Sequence, residues 1–495
     1  MSNASHMESN ITSAVGTAST PGPHDYEAAR SAIAALHDHG FEAYIIGGAV
    51  RDLYLDRHPK DFDLATNATP EQIMALPEFK RSKYKDTSQA YGVTRTLVTY
   101  DDHTSEIEIA TFRKDIEAIR GRQSTKIAFA SLEDDVLRRD FTINALAFDP
   151  STSVILDFTD GIDDLNSRVI RFIGNPSERI REDPLRIMRA IRFKNHLGFS
   201  YYPGTVKAIR QAVRHGYIEQ IAVNRLRAEL TSLLVHPSRR EALAELDSFG
   251  ILELVLPEVS AGKNITQPPE FHAEGDVWQH ELLILDYLPA HPSTRLAWAA
   301  LLHDIGKVPT HTIPHTPDDR IRFNRHYAVG AEMAKTILRR LKFSNRDIKD
   351  ITWMIYNHLA IDSLPAMRPS HQQHMLGHEA FEDLLELHRA DAAASWQAGR
   401  PHGSKPQFRA IEKLWHTYQT TSPEERQPSL KRDLGIDGKW LLNTFSSEFQ
   451  EIPGPVIGEV LDDLDNWYRN KMIRDPEKYT DKARLLLEKY QAKRS

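Results

Sequence analysis

Two short stretches in the first part of the chain carry residues whose types and spacing suit phosphoryl-transfer chemistry. Gly47 and Gly48 follow an apolar run, and the backbone amides of a glycine pair at a helix start can bind a phosphate, with Arg51 one turn further along. Asp61 and Asp63 stand two residues apart in a predicted strand, so their carboxylates project from the same face. Such a pair is costly without a cation between the charges, and Mg²⁺ suits oxygen ligands. The pattern predicts a nucleotide site with Mg²⁺, in which Asp61 and Asp63 are the catalytic metal ligands.

Each stretch also has an ordinary structural explanation when it is considered alone. A glycine pair is typical of a plain turn, and an Asp-Phe-Asp sequence is typical of a solvated strand end. The two stretches occur close together and in the order that a nucleotide site requires, which favours the functional interpretation. Glu108 shares a predicted strand face with Glu106 and is a candidate for a further carboxylate, but the polar face of an edge strand explains it equally well.

A second group of candidate metal ligands lies later in the chain. The sequence has 23 histidines and no cysteine, so any metal site must use His, Asp and Glu side chains. His303 and Asp304 are adjacent in the sequence. Two histidines, His272 and His280, precede them, and Asp391 follows much later. This order resembles the pattern of the HD phosphohydrolase superfamily.

The resemblance to the HD superfamily implies a divalent transition metal or Mg²⁺ at this second site. The ligands that it implies are His280, His303, Asp304 and Asp391. His326 and His358 are candidates for a second metal. The alternative is a domain that is kept for packing and has lost its activity or its metal.

Length and composition define the class of protein that carries these residues. The chain has 495 residues, and at about 150 residues per domain we expect about three domains. A hydrophobic fraction of 40% and a charged fraction of 26% are typical of globular proteins and exclude a wholly disordered chain. No apolar run approaches the ~20 residues that cross a bilayer, so we expect no membrane span. Without cysteine or a secretory signal, a reducing, cytoplasmic setting is expected.

Local patterns predict a mixed α/β module followed by helices. Apolar runs and alternation predict strands at 41–46, 62–65, 95–100 and 106–111 and a helix at 49–55. After residue 166 a period of 3.6 residues takes over, and strand signals nearly vanish.

Charge is unevenly distributed along the chain. Residues 168–240 contain 13 Arg and 2 Lys against 5 acidic residues, a formal charge of +10 in a chain whose total is −7. Charge alone leaves two explanations, a solvated helical face or a phosphate-binding surface.

Five ordered motifs make the first half of the chain resemble the class II tRNA nucleotidyltransferases, the CCA-adding enzymes, and the related bacterial poly(A) polymerases. The motifs are 46–52 with Asp61 and Asp63, 138–147, 160–161, 182–186 and, more weakly, 224–229. The resemblance covers 44–256. It implies an α+β fold, with a small mixed-sheet nucleotidyltransferase head followed by an elongated, all-helical neck, body, HD domain and tail.

Composition and Pro/Gly breaks, together with the resemblance, indicate a division into five segments. These are a disordered leader at 1–24, the head at 25–166, a helical neck and body at 167–268, the HD domain at 269–400 and a helical, RNA-contacting tail at 401–495. For the tail, a Gly-Pro turn before a helix at 454–461 is a weak sign of phosphate contact, and a helix pair that packs on its neighbour explains it equally well.

The resemblance assigns nucleotide binding to a set of residues in the head and neck. They are Gly47, Gly48, Arg51, Arg139, Asp140, Asn144, Asp183, Arg186, Arg189 and Arg192. Asp183 and Arg186 stand at i and i+3 of a predicted helix at 182–192, which places an acceptor beside a donor. Cytosine and adenine both show an amino donor beside a ring-nitrogen acceptor, whereas guanine and uracil show the reverse. One Asp-Arg pair can therefore select C and A, by ~1–3 kcal/mol in related base readout. An ordinary ion pair on a helix surface is the alternative.

We therefore expect template-independent addition of C, C and A to tRNA 3′ ends from CTP and ATP by two-metal phosphoryl transfer, with tRNA as the partner and no protein partner implied. The alternatives are a poly(A) polymerase or an enzyme that adds only CC or only A. From a different class, the alternative is an HD phosphodiesterase or phosphatase, acting on 2′,3′-cyclic or 3′-phosphate ends, with an RNA-binding head. The sequence does not decide which nucleotides are added, because that depends on the segment at 113–129.

Overall fold

A computed structural model of the chain describes residues 23–81, 92–117, 126–270, 272–314, 316, 320–397, 400–401, 406–422, 430–449, 452–471, 473 and 475–492. The fold divides into two compact units, Met1–Pro257 and Glu258–Ser495. The predicted leader at 1–24 lies almost entirely outside the described residues. The division into five segments stays a prediction.

The first unit contains a seven-stranded mixed sheet, which confirms the predicted α/β head. The strands of the head are β1 (Ala43–Ile46), β2 (Asp63–Thr66), β3 (Lys80–Arg81), β4 (Val93–Tyr100), β5 (His103–Thr111), β6 (Arg113–Glu117), β7 (Lys126–Phe129), β8 (Leu146–Asp149) and β9 (Val154–Asp157). The order in the sheet is β3-β4-β5-β2-β1-β8-β9, while β6 and β7 form a separate hairpin. Strands β2 and β5 are parallel, and the other neighbours are antiparallel.

The β4–β5 hairpin shows how the sequence pattern sets the sheet. Ile107 and Ile109 are buried, whereas Glu106 and Glu108 lie on the opposite, more open face. The hairpin turn contains Asp101 with φ 49°, a left-handed conformation that Asp tolerates better than most residues. The hairpin therefore confirms the two predicted strands, and its turn at Asp101 and Asp102 is tight because β5 begins at His103.

The remaining structure of the first unit is mainly helical, as predicted. Its helices are Pro23–Asp38, Gly48–Tyr54, Pro70–Ala75, Leu132–Leu137, Gly161–Asn166, Pro176–Glu182, Leu185–Leu197, Pro203–Arg214, Val223–Leu234, Arg239–Ser248 and Ile251–Val255, and Pro257–Ser260 lies at the unit boundary. Apolar residues at the predicted spacing, such as Leu226, Leu230 and Leu233, are buried on one helix face.

The second unit is built from helices around an apolar core. They are Val277–Tyr287, Thr294–Leu302, Lys307–Thr310, His326–Arg340, Asn345–Asn357, Pro369–Leu376, Phe381–Ala394, Pro406–Thr420, Leu430–Leu434, Gly438–Phe445, Gly454–Lys471 and Pro476–Ala492. Trp298 is fully buried at the centre of the helix Thr294–Leu302. Among the described residues, no helix combines the length and apolar character that a membrane span needs.

The region after the head is helical as predicted, with one refinement. The described residues there also form three short strand pairs: Val169–Ile170 with Ser200–Tyr201, His311–Thr312 with Arg322–Phe323, and Trp396–Gln397 with Arg400–Pro401. Each strand has two residues, which is too short to give a period in the sequence.

Candidate active site

The turn between β1 and the helix Gly48–Tyr54 requires glycine at its first position. Gly47 has φ 72° and ψ −128°, and a Cβ there would lie 3.0 Å from Nη1 of Arg139. A side chain at this position is therefore excluded by backbone conformation and by space. The turn therefore places the backbone of Gly47 beside the Arg139 side chain, and a phosphate site would use both groups.

An open cavity of about 410 Å³ lies above this turn. Its lining residues are Gly47, Gly48, Arg51, Asp63, Arg138, Arg139, Asp140, Asn144, Asp183, Arg186, Arg189, Phe193 and Arg225. Ten of the predicted nucleotide-site residues therefore line one cavity. Asp61 and Arg192 do not line it.

The predicted carboxylates occupy the start of β2 and its neighbour β5. Asp63 begins β2 and pairs in register with Glu108. Asp61 precedes the strand, so the expectation that both aspartates lie within it is wrong by two residues. Phe62 between them is buried and contacts the ring of Tyr26, which leaves both aspartates on the solvent side.

These carboxylates repel one another. Desolvation, followed by the charges of Asp61 and Glu108, raises the pKa of Asp63 to about 6. The three residues are not among the described groups whose ligand atoms all lie within 4.8 Å of one another. An oxygen-only set of like charges fits a hard divalent cation such as Mg²⁺.

Asp140 organises the floor of the cavity. Its buried carboxylate accepts hydrogen bonds from Asn144 Nδ2 at 3.2 Å and from Arg189 Nε at 2.5 Å. Burial opposes its charge, but Arg189 prevails and lowers the pKa of Asp140. Asn144 in turn accepts from Arg51 Nη1 at 2.7 Å. The network fixes two arginines with their charge toward the cavity.

The predicted helix at 182–192, which carries the proposed base-selecting residues Asp183 and Arg186, is broken. One helix ends at Glu182, Asp183 is extended with φ −142° and ψ 98°, and the next helix begins at Leu185. Pro184 is the physical reason, because proline disfavours the helical conformation of the residue before it. The i, i+3 placement of Asp183 and Arg186 on one helix is therefore wrong, although both line the same cavity.

Neither selector side chain is free. Asp183 accepts two hydrogen bonds from Arg225, at 3.0 and 2.7 Å. Arg186 donates to Glu182 at 2.7 Å and to the carbonyl oxygen of Arg179 at 2.7 Å. The acceptor and the donor are thus each held by a different partner.

Arginines from the helices Gly48–Tyr54 and Leu185–Leu197 surround one aromatic ring. The guanidinium groups of Arg51, Arg189 and Arg192 lie 5.1, 5.2 and 4.3 Å from the ring centre of Phe193. Arg192 also donates to Glu229 at 2.7 Å, which explains why it faces away from the cavity. The predicted role of Arg192 in phosphate binding stays untested.

Sequence reasoning left three cavity residues without a role, Arg138, Phe193 and Arg225. Arg138 and Arg225 belong to the quoted motifs, so position within a motif was the available signal. Phe193 lies beside arginines at helical spacing, a pattern equally typical of an ordinary core residue.

The second unit brings the predicted HD ligands together. His280 lies in the helix Val277–Tyr287, His303 and Asp304 follow the helix Thr294–Leu302, and Asp391 lies in the helix Phe381–Ala394. His280 Nε2 lies 3.1 Å from Asp391 Oδ1 and 3.7 Å from Asp304 Oδ2. His303 Nε2 lies 3.2 Å from the same Asp304 oxygen.

Two further histidines complete the cluster on the other side of Asp304. His326 Nε2 lies 3.4 Å, and His358 Nε2 3.9 Å, from Asp304 Oδ1. Two triads therefore have all their ligand atoms within 4.8 Å: His280, His303 and Asp391, and Asp304, His326 and His358. A third such group, with His272 and Glu274, also includes His280.

The histidines of this cluster differ in protonation, and only those with a lowered pKa are already neutral as metal ligands must be. Burial lowers the pKa of His326 and lowers that of His358 to about 4, so both imidazoles are neutral, as metal ligands must be. Against the cost of burial, Asp391 and Glu274 raise the pKa of His280 to about 9. His303 Nε2 and Asp304 Oδ1 are buried without a hydrogen-bond partner. Such a donor set fits a divalent metal.

Two buried residues of this cluster were not predicted. Lys307 Nζ lies 2.6 Å from Asp304 Oδ2 and donates to Gln267 at 2.7 Å. Glu281 is fully buried, and burial together with Asp304 raises its pKa well above the usual value, which favours its neutral form. Both lie beside predicted ligands in the sequence, but adjacency alone gave no reason to choose them.

The fold and the two sites define a protein with a polymerase-type head and an HD domain. Family models match at 43–171 (Poly A polymerase head domain), 198–263 (Probable RNA and SrmB-binding site of polymerase A) and 282–392 (HD domain). The chain belongs to the family of tRNA nucleotidyltransferases and bacterial poly(A) polymerases. It is 34% identical over 342 residues to the A-adding tRNA nucleotidyltransferase of Deinococcus radiodurans. The aligned residues make up 67% of this chain and 74% of that one.

Other relatives carry the name CCA-adding enzyme. The chain is 40% identical over 223 residues to that of Enterococcus faecalis, 45% of this chain and 52% of that one. It spans about half the length of several of the curated relatives it matches. The fold is similar to the crystal structure of the Bacillus stearothermophilus CCA-adding enzyme in complex with CTP, with a TM-score of 0.61 and 25% identity over 95% of this chain and 98% of that one.

Proposed function

We propose that the chain adds C, C and A to tRNA 3′ ends, using CTP and ATP. One observation carries the proposal: a single cavity brings together Asp63, four arginines near the glycine turn, and the Asp183 and Arg186 side chains. Asp63 can act at the reacting phosphate, and the arginines can bind the triphosphate. Asp183 and Arg186 can bind the base. The relatives named CCA-adding enzymes support this assignment.

The residues of the cavity divide the work of an in-line transfer. Arg51 and Arg139 bind the triphosphate beside the backbone of Gly47. Asp61 and Asp63 would hold two Mg²⁺ ions, of which one would lower the pKa of the RNA 3′ hydroxyl and the second would neutralise the leaving pyrophosphate. Asp140 keeps Arg189 and Asn144 oriented throughout.

Base selection requires a change of partners. Asp183 is held by Arg225 and Arg186 by Glu182, so both must release those partners to pair with a Watson–Crick edge. A base with an amino donor beside an acceptor nitrogen replaces both bonds. Guanine and uracil replace neither, so the original ion pairs oppose their binding.

The decisive experiment offers three tRNA transcripts, ending before CCA, after CC and after CCA, with CTP and ATP singly and together. Our proposal predicts addition of CC from CTP alone, completion with both nucleotides, and no addition after CCA. Addition of A only, of CC only, or of long A runs identifies the three rival activities. Addition of A only is a rival with specific support, because the Deinococcus relative is named an A-adding tRNA nucleotidyltransferase.

We propose, as a second function, metal-dependent hydrolysis of phosphoesters in the second unit. The observation that favours it is a pair of complete ligand triads, one of which contains Asp304, with His303 Nε2 and Asp304 Oδ1 lacking hydrogen-bond partners. The substrates proposed are 2′,3′-cyclic or 3′-phosphate RNA ends, which would block nucleotide addition. Hydrolysis of 2′,3′-cyclic CMP with Mn²⁺, Ni²⁺, Co²⁺ or Zn²⁺ tests it.

The cytoplasmic setting stays a prediction from the sequence.

A further inference from the structure

A groove of about 440 Å³ runs between the helices His326–Arg340 and Asn345–Asn357. The first helix begins at His326 and the second ends beside His358, so both helices start or end at ligands of the proposed metal centre. Asn357, which lines the groove, is the chain neighbour of His358. One end of the groove therefore lies next to the cluster in the fold.

The charges in the groove suit a polyanion. Lys335, Arg339 and Lys349 line it, and Glu332, which is 3.4 Å from Lys335, is the one acidic residue among its described lining. Arg339 and Lys349 are exposed. Three cations along two adjacent helices match the repeating phosphates of a nucleic-acid strand.

Aromatic rings stand among these cations. Trp353 stacks on His378, with ring centres 3.7 Å apart and planes 2° apart, so its indole is held in one orientation. Tyr356 is 50% exposed and packs edge to face against Tyr327, the chain neighbour of His326. Fixed, partly exposed aromatic rings between cations are the arrangement on which single-stranded bases stack.

We propose that this groove binds a single-stranded RNA segment whose 3′ end lies at the His326 and His358 end of the two helices. From Ala331 to Arg339 the groove extends about 12 Å, which about three stacked nucleotides span at about 3.4 Å each. The proposal deepens the second function, since it makes an RNA end the substrate class and a free nucleotide a poor one. An acidic protein would need the same cations but would not need stacked rings.

Two measurements on the full chain separate the groove from the chemistry. The first maps photocrosslinks from a 12-nucleotide RNA that carries 4-thiouridine near its 3′ end. The second compares kcat/KM for the same RNA ending in a 2′,3′-cyclic phosphate with kcat/KM for 2′,3′-cyclic CMP. The variants are Lys335→Glu/Arg339→Glu/Lys349→Glu and its charge-keeping control Lys335→Arg/Arg339→Lys/Lys349→Arg, with Tyr356→Ala and Tyr356→Phe as a second pair.

We expect crosslinks on the peptide that contains Trp353 and Tyr356. The charge reversal should remove them and lower kcat/KM for RNA at least about tenfold, while cyclic CMP stays within twofold, and Tyr356→Ala should act in the same direction. Both control variants should behave as wild type. Hydrolysis of neither substrate by wild type, with groove crosslinks present, would refute the hydrolase and support the RNA groove. Crosslinks elsewhere only, or equal losses on both substrates, would overturn the groove and leave the hydrolase standing.

Discussion

The two candidate centres solve the problem of holding a cation in opposite ways. In the head, Asp61 and Asp63 are exposed at the start of β2, and with Glu108 they are not among the described groups of three ligands within 4.8 Å of one another. In the second unit the ligands are almost all buried and already converge on Asp304. The difference lies in charge: imidazoles can pack in a core against carboxylates of opposite charge, whereas carboxylates alone repel one another.

This contrast predicts different orders of binding. A cluster that is assembled before the cation arrives can keep a metal through many turnovers. An open pair of carboxylates gains its cation together with a triphosphate, which brings charge and oxygen ligands of its own. The first centre is thus completed by its substrate, and the second by the fold.

The largest expected effect comes from removing the head carboxylates. Asp61→Ala or Asp63→Ala should lower the rate of nucleotide addition at least about 10³-fold, because several kcal/mol of charge stabilisation are lost. Binding of tRNA should stay within a few-fold, since the aspartates do not hold RNA. Asp102→Ala, on the β4–β5 turn of the same sheet, is the matched control and should keep full activity. Retained turnover in the double variant would exclude the two-aspartate assignment.

The second largest effect should be confined to the other unit. His303→Ala with Asp304→Ala should abolish metal uptake and metal-dependent hydrolysis, while addition to an intact 3′ hydroxyl survives. All seven tryptophans follow residue 257, and Trp298 lies in the helix that precedes His303, so tryptophan fluorescence reports metal titration of this unit alone. Elemental analysis that finds no metal in wild type, and no uptake on titration, would give the cluster a purely structural role.

A smaller effect should follow at the base selector. Asp183→Ala should relax discrimination against UTP and GTP by about 10- to 100-fold, in line with ~1–3 kcal/mol for bidentate base readout. Arg225→Ala should instead raise apparent affinity for CTP and ATP, since Asp183 no longer has to exchange partners. Competition between nucleotides in single-turnover assays measures both. Unchanged selectivity in Asp183→Ala would contradict the side-chain template.

The smallest effect concerns stability of the head. The raised pKa of Asp63 means that its protonated form is favoured in the folded state, so its stabilising contribution is complete below pH 4 and is lost as the pH rises through about 6. Asp63→Asn should therefore raise the unfolding midpoint of the first unit by about 1–3 °C at pH 8 without divalent ions, after allowance for solvent screening. Calorimetry at pH 4 should show no gain, and Mg²⁺ should not protect the variant.

Short-range rules predicted the glycine turn and the strands of the hairpin, and the fold confirms both. The same rules selected the candidate residues of both sites, whose roles stay predictions. The break at Pro184 also follows from a short-range rule, but the apolar period that continues through it favoured an unbroken helix. The pairing of Asp183 with Arg225 spans 42 residues and depends on how two helices pack, which no local pattern contains.

Lys307 bears on how such a protein is made in the cell. Its ammonium group neutralises Asp304 inside the second unit, so the core is not left with an uncompensated carboxylate during synthesis. Zinc fingers, by contrast, have no fold until metal arrives. A chain that carries its own counter-charge can be translated, folded and stored during metal shortage, and the proposed hydrolysis would begin only when supply returns.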